Sequence, residues 1–391
     1  MKHRIVVLGA GYAGAIAAGR LARRLHPDDT QITIVNADAD FVERVRMHQL
    51  ATGQHLKRRP LTDVYAGTGV EVRVARVTAV DADRRTVALG ADEIAYDTLV
   101  YALGSTGADH GVPGVAEHAY DIAGRPSASR LRDRLAHLTA GATVLVVGGG
   151  LTGLEAVTEI AEARPDLDVT LAARGALGDW LTDKAQQHLR GVCARLGITV
   201  HEQTDIARVD ATGAVTSDGR VIPAQVTVWT AGFAVHPIAA ATTLTVAGTG
   251  QIVVDATMRS VSHPDVYAVG DAALAEGPGG KPLRMSCASG APMAWQAADA
   301  IATRLTGRTK IPKAPLRYFN QCISLGRRDG LIQYVTADDR ARPALLKGTL
   351  AARYKEVVCA GAAWSISHPI PYPVRRHRIV ATRTESATAA S

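Results

Sequence analysis

Ile5-Val6-Val7-Leu8-Gly9-Ala10-Gly11-Tyr12-Ala13-Gly14 and Val144-Leu145-Val146-Val147-Gly148-Gly149-Gly150-Leu151-Thr152-Gly153 decide the fold of this chain. Each stretch opens with a short apolar, largely β-branched run that reads as a buried parallel strand. Each then carries G-x-G-x-x-G and runs into a helical pattern, Gly11 to Leu25 in the first copy. The spacing has a physical reason. The first glycine allows the tight turn, the second lets the backbone approach a pyrophosphate, and the third lets the helix pack closely on the strand. The helix N-terminus offers free N–H groups and a partial positive charge to the phosphates. One such motif is weak evidence, because glycine turns are common. Two copies in the same context imply two dinucleotides held against each other, and so electron transfer.

Composition narrows the field. A chain of 391 residues exceeds what one domain usually holds. With 47% apolar and 21% charged residues it can bury a large core and is not disordered in bulk. The net charge of +7 is moderate and carried mostly by arginine. It suits anionic cofactors, and the basic residues are scattered, so no nucleic-acid partner is expected. The densest basic cluster is Arg375-Arg376-His377-Arg378. No apolar run is long enough to span a membrane. The chain enters a strand by residue 4, so no secretory signal is expected. The cysteines at 193, 287, 322 and 359 form no C-x-x-C pair. A reducing, cytoplasmic setting and the absence of a metal site are the resulting expectations.

The second strand of the first unit, Gln31 to Val35, leads to Asn36 where an acid usually holds a ribose, with Asp38 and Asp40 close by. In the second unit the strand Leu167 to Arg174 places Ala173, followed by Arg174, at the position equivalent to Asn36. Without an acid there, Arg174 is suited to a ribose 2′-phosphate, which favours NADPH over NADH; an exposed loop charge is the plainer reading. A further buried strand, Ala95 to Leu103, ends at Gly104. Gly250-Gln251-Ile252-Val253-Val254-Asp255 and His263-Pro264-Asp265-Val266-Tyr267-Ala268-Val269-Gly270-Asp271 follow much later.

With these stretches the chain resembles the two-dinucleotide flavoproteins, the group of pyridine nucleotide–disulfide oxidoreductases and type II NADH dehydrogenases. The resemblance covers residues 4–310 well and the remainder weakly. It implies FAD bound by Gly9, Gly11, Tyr12, Ala13, Gly14, Asn36, Val77, Gly104, Gly270, Asp271 and Met293, with Asp271 on the ribityl chain. It implies NADPH or NADH bound by Gly148, Gly150, Thr152, Gly153, Arg174 and Gly232, the last in a Val226-Thr227-Val228-Trp229-Thr230-Ala231-Gly232 strand similar to the W-x-A-G strand of type II NADH dehydrogenases. Glu155 resembles the glutamate that sits near the nicotinamide and flavin rings, although an acid in a first helical turn also suits the helix dipole.

Disulfide reductases of this group carry C-x4-C after the second strand. The matching region, residues 41–53, contains no cysteine, so that chemistry is excluded, while Leu50-Ala51-Thr52-Gly53 is similar to the A-T-G of type II NADH dehydrogenases. Arg44, Arg46 and His48 stand here where those enzymes are apolar. Along a flavin they are candidates for stabilising an anionic substrate and moving protons, the alternative being a solvated helix face. A helix is expected from Ser289 as N-cap, with Pro292 in its first turn. Quinone-reducing relatives carry A-Q-x-x-x-Q here, and this chain keeps only Gln296, a further catalytic candidate.

Residues 316–336 read as two strands around a turn, and 344–359 as a helix with Leu346, Leu350 and Tyr354 on one face. That helix is a core element, or else a peripheral membrane contact or a homodimer contact. Cys322 is either a buried free thiol or one close to the flavin.

The expected fold class is therefore α/β, with two Rossmann-like dinucleotide-binding domains. An FAD domain of residues 1–114 and 248–310 is interrupted by an NAD(P) domain of 115–247. A C-terminal α+β portion of 311–368 and a disordered tail of 369–391 follow. The expected reaction is hydride transfer from NAD(P)H to flavin N5, then electron transfer to a quinone or quinone-like small molecule. A tailoring oxidoreductase of specialised metabolism and an NAD(P)H sensor of the apoptosis-inducing-factor type are the alternatives.

Overall fold

A computed structural model describes residues 1–369 and 375–380. The elements that build the site are, in chain order, β1 (His3–Leu8), α1 (Tyr12–Arg24), β2 (Thr30–Asn36), α2 (Met47–Ala51), β3 (Val70–Val74), β4 (Thr98–Tyr101), α3 (Arg125–Ala136), β5 (Thr143–Val147), α4 (Leu151–Ala163), β6 (Asp168–Ala172), β7 (Thr199–His201), β8 (Val226–Trp229), β9 (Val266–Ala268), α5 (Cys287–Leu305), β10 (Asn320–Ser324), β11 (Gly330–Val335), β12 (Ala341–Lys347) and α6 (Thr349–Ser365).

The chain folds into α/β units of the same design. The first sheet has the order β9-β4-β1-β2-β3 and all its pairs are parallel. The second, lying wholly between β4 and β9 in sequence, has the order β7-β6-β5-β8 followed by the short strand Ala119–Tyr120, again all parallel. Central strands buried on both faces must be apolar throughout. Accordingly Ile5, Val7 and Leu8 are fully buried, as are Leu145 and Val146. The registers match too, with Ile5 opposite Ile32 and Thr98, and Val144 opposite Val169 and Val226. Each unit carries a three-stranded antiparallel excursion between its third and fourth strands, at residues 79–95 and 206–223. In both, the first strand is flanked by the second on one side and the fourth on the other. The order therefore reverses there, and a crevice opens at the carboxyl ends of the strands.

Helices α1 and α5 are joined by a buried ion pair. Arg20 is 0% exposed, and its Nε donates to Asp299 Oδ1 at 2.6 Å, while Nη1 donates to the Pro369 carbonyl at 3.1 Å. Arg24 Nε lies 2.6 Å from the same Asp299 oxygen.

Several elements depart from the sequence expectation. Helix α5 begins at Cys287 with Ser286, not Ser289, as its N-cap, which leaves Pro292 inside the helix. The two expected strands are β10 and β11, but the helix expected from residue 344 starts only at Thr349. Residues 341–347 form the edge strand β12, in which Leu346 faces Ile332. Pro343 cannot donate to a ladder but is tolerated at an edge, and Gly348 at φ +73° turns the chain into α6. The apparent helical spacing of Leu346 and Leu350 thus spans two elements. Of the expected tail, residues 375–380 are docked: His377 bridges to Leu25, and the Val380 N–H donates to Leu305 O at 3.0 Å. Residues 370–374 and 381–391 lie outside the described residues. Among the described residues no helix is long and apolar enough to cross a membrane.

Asp299→Ala would strip the buried arginines of their carboxylate. It is expected to cost about 3 kcal/mol of stability, seen as a lower denaturation midpoint with an unchanged slope.

Candidate active site

The two glycine turns open on one cavity. Its volume of about 1240 Å³ exceeds the ~300–1,000 Å³ of an ordinary small-molecule pocket. Gly11 and Gly150 are the N-caps of α1 and α4, so both helix N-termini face this space. The glycines divide into two kinds. Gly9 has φ +92° and Gly148 φ +122°, and a Cβ on Gly9 would come within 2.4 Å of the Ala102 carbonyl oxygen. A Cβ on Gly14 would overlap the Gly9 carbonyl, and one on Gly153 the Gly148 carbonyl. The middle glycines differ, since a Cβ on Gly11 or Gly150 would meet nothing within 4 Å. Its only neighbour would be whatever fills the cavity. These cradles fit a pyrophosphate brought against bare backbone at a helix N-terminus.

At the first turn Asn36 lines the cavity, but its amide is engaged within the protein. Oδ1 accepts from the Ala10 N–H at 2.9 Å and Nδ2 donates to Asp38 O at 2.8 Å. Asn36 thereby holds the glycine turn, and Asp38 brings the negative charge to the same wall. Tyr12, Ala13, Gly104, Gly270 and Asp271 also line the cavity. Asp271 Oδ2 accepts from Ser105 Oγ at 2.6 Å and lies 3.5 Å from Arg44 Nη1. Arg44 donates to Ser105 O at 2.8 Å, and its guanidinium covers the Phe233 ring at 4.9 Å. Thr152, Arg174 and Gly232 line the second half. Arg174 is paired with Asp205 at 2.8 Å with its side chain 79% exposed, so it stands at the solvent edge.

Besides Gly9, Gly14 and Gly153, which shape the turns from behind, four of the expected residues are not on the wall. Val77 and Met293 are packed in the core, and Arg76 takes the place beside the cavity. Gln296 is buried and accepts from the Ala314 N–H at 2.8 Å, so it anchors the stretch before β10. Arg46 is drawn away by acids, with Glu43 at 3.0 Å and Glu356 of α6 at 2.6 Å. The segment is not a solvated helix face either: Phe41 and Glu43 before the 3-10 turn Arg44–Arg46, Arg46 within it, and Met47, His48 and Gln49 of the short α2 are all buried.

The chemical centre lies where α4 meets the C-terminal unit. Glu155 and His48 both line the cavity, as does Lys355 of α6, which the sequence reading missed. Lys355 Nζ lies 2.8 Å from Glu155 Oε1 and donates to Cys322 O at 3.0 Å, and the Ser324 N–H donates to Glu155 at 3.0 Å. Burial by itself would raise the Glu155 carboxyl, but Lys355, His48 and the Ser324 N–H together hold it below the usual carboxylate range. Burial works against the Lys355 ammonium as well, and Glu155 overrides it, so the lysine is held well above its ordinary value. The pair is thus ionised on a low-dielectric wall. Cys287, Cys322 and Cys359 line the same end. Burial pushes Cys322 up to about 12 and Cys359 up to about 11, and raises Cys287 too, so these thiols are neutral. No spacing in the sequence announces this cluster, because its members come from α5, β10 and α6.

The comparisons with known proteins agree with this geometry. Residues 3–302 match the profile of the pyridine nucleotide-disulphide oxidoreductases. The chain belongs to that family. It is an oxidoreductase. Members similar to it include an NADH dehydrogenase-like protein of Mycobacterium tuberculosis, 32% identical over 325 aligned positions, with 74% of this chain and 78% of that one covered. The demethylphylloquinone reductase of Synechocystis is 27% identical over 358 aligned positions, with 85% of this chain and 86% of that one covered. Among solved structures, NDH2 of Plasmodium falciparum in complex with NADH superposes with a TM-score of 0.78 at 14% identity, covering 94% of this chain and 96% of that one. The sulfide:quinone oxidoreductase of Aquifex aeolicus gives 0.77 at 19%, covering 95% and 93%. Those two establish the shared fold.

The two kinds of glycine separate in a stability measurement. Gly14→Ala is expected to cost more than about 2 kcal/mol, because backbone must move. Gly11→Ala is expected to stay within about 0.5 kcal/mol of the wild type when no nucleotide is added, and to lose binding at that turn.

Proposed function

We propose that this protein is an FAD-dependent NAD(P)H oxidoreductase that passes electrons to a quinone or quinone-like small molecule. The observation that carries the reading is the single cavity onto which both glycine-capped helices open, with the Glu155–Lys355 ion pair in its wall. The names of the relatives, an NADH dehydrogenase-like protein and a demethylphylloquinone reductase, support the donor and the acceptor class.

In this reading Gly11, Tyr12, Ala13, Asp38, Gly104 and Asp271 hold FAD. Gly9 and Gly14 shape its turn from behind. Gly150, Thr152 and Gly232 hold the nicotinamide nucleotide. When bound, FAD would supply hydride acceptance at N5 and release of electrons one or two at a time. The chain's own residues set direction and charge. Glu155 orients the nicotinamide end. Lys355 offers a fixed cation to negative charge developing on an acceptor oxygen, in a site where such a charge is worth more than in water. Arg44, tied to Ser105 and Asp271, adds positive charge along the same wall. Arg174 at the solvent edge accepts a 2′-phosphate if it leaves Asp205, so both nicotinamide nucleotides are substrates to be compared.

A lipid-soluble quinone would reach the cavity along α6. Leu350, Tyr354, Val357, Val358 and Trp364 of this helix are exposed, and Val358 also borders the cavity. An apolar helical face of this kind suits the interface of a membrane without crossing it.

Purified protein is expected to carry FAD, to be bleached by anaerobic NADH or NADPH, and to be reoxidised by a menaquinone analogue. A protein that binds no flavin, or whose flavin neither nucleotide bleaches, would overturn the reading. Lys355→Met is expected to slow reoxidation by the quinone about a hundredfold, as read by stopped-flow absorbance.

A further inference from the structure

One turn beyond Glu155 on α4, Glu159 is buried behind the cavity wall. Its side chain is 1% exposed, and its Oε2 has no hydrogen-bond partner. Its other oxygen accepts from Gln54 Nε2. His48, 4% exposed and on the cavity wall, stands between the two carboxyl groups. Its Nδ1 is 3.9 Å from Glu155 Oε2, and its Nε2 is 3.9 Å from Glu159 Oε2. That Nε2 has no partner either. Two buried polar atoms that face each other without partners are unusual and call for an explanation. A neutral carboxylic acid has an O–H to give, and a neutral imidazole protonated at Nδ1 has a free lone pair at Nε2. At 3.9 Å the two atoms face each other with complementary hydrogen-bonding character.

We propose that Glu159 and His48 form a proton store and relay behind the acceptor end of the cavity, feeding Glu155. The inference rests on the acceptor reading above and names the groups that supply its proton. The steps balance. The O–H bond of Glu159 breaks as an N–H bond forms at His48 Nε2. The N–H bond at His48 Nδ1 breaks as an O–H bond forms on Glu155. One carboxyl has lost a proton and the other has gained it, and the imidazole is neutral before and after. Gln54, the neighbour of exposed Gly53 and His55, separates Glu159 from solvent on the far side, where the store refills.

The surrounding charges keep the proton on Glu159 at rest. Burial raises the Glu159 carboxyl to about 7, opposed by Arg327 and by the Gln54 hydrogen bond and supported by Glu162 and Glu155. Burial lowers His48 to about 4, opposed by Glu155 and helped by Lys355, Arg327 and Arg46. Near neutral pH the store is loaded in about half the molecules and the imidazole is uncharged. Because Lys355 keeps Glu155 ionised, the relay rests until a stronger base stands in the cavity, as the oxygen of a reduced carbonyl acceptor does. Glu159 and His48 act through Glu155, so they are positioning residues for the proton.

The test uses the flavin-loaded enzyme, reduced anaerobically and then mixed with one of two oxidants. A menaquinone analogue needs protons, and hexacyanoferrate(III) takes electrons alone. Wild-type reoxidation by the quinone is expected to fall as pH rises through about 7, because the store empties. In Glu159→Gln that reaction is expected to be at least about tenfold slower at neutral pH and flat across the same window. Reoxidation by hexacyanoferrate(III) and the reduction step stay at wild-type rates. His48→Phe, which keeps ring volume without nitrogen, is expected to give the same split. Infrared difference spectra on titration of the resting protein are expected to show a protonated-carboxyl band that Glu159→Gln removes. A variant that keeps the wild-type pH profile, or the absence of that band, overturns the proposal, as does equal slowing with both oxidants. If no quinone reoxidises the wild type, the acceptor reading falls on its own. The same comparison with a quinone-imine dye and the infrared band then decide the relay.

Discussion

Everything in this structure depends on how closely two helices approach two strands. The Gly9 carbonyl occupies the place of a Cβ at residue 14, and the Gly148 carbonyl does so at residue 153. Packing at that distance turns the free N–H groups of α1 and α4 toward the carboxyl ends of their sheets. The order reversal at β1 and β5 leaves a crevice at that spot in each unit, and the two crevices merge into one cavity. Larger residues at the packing glycines would push the helices outward and close the space from behind. At the middle glycines they would fill it from the front.

The second constraint is electrostatic. The cavity wall carries an ionised pair, Glu155 and Lys355, whose partners come from units far apart in sequence. Such a pair is costly to bury, and the Ser324 N–H and the Cys322 carbonyl provide the further hydrogen bonds that make it tolerable. The C-terminal unit therefore does more than cover the site. Helix α6 supplies the lysine, and through Glu356 it also takes up Arg46, which would otherwise be free to face the cavity. The same end of the cavity has neutral thiols and a neutral histidine beside the charged Glu155–Lys355 pair.

The parts of this protein written in the sequence are those whose physics is local. A β-branched run followed by G-x-G-x-x-G specifies strand, turn and helix by short-range sterics, so both dinucleotide turns, the α/β class and the strand ending at Asp271 are legible without coordinates. Local reading fails where an element is defined by its neighbours. Leu346 and Leu350 share a helical spacing, yet one pairs with Ile332 in a strand, because an edge of β11 was available to it. Asn36 has the position expected for a ribose contact, and its amide also ties the glycine turn through Ala10 and Asp38, which no local pattern shows. Gln296 lies at the second glutamine of a quinone-reductase pattern, yet it anchors Ala314.

The sequence by itself therefore determined that two glycine turns of the same design exist, that they belong to one α/β oxidoreductase fold, and that the chain contains no C-x4-C pair. Only the tertiary structure decided which side chains meet at the reacting end. Arg44, Arg46 and His48 are near neighbours in the chain but have different fates: one lines the cavity beside Asp271, one is captured by Glu43 and Glu356, and one stands between two glutamates. Lys355 carries no motif at all. Its role follows from its distance to Glu155, and a contact between residues 200 positions apart is set by packing that no local pattern encodes.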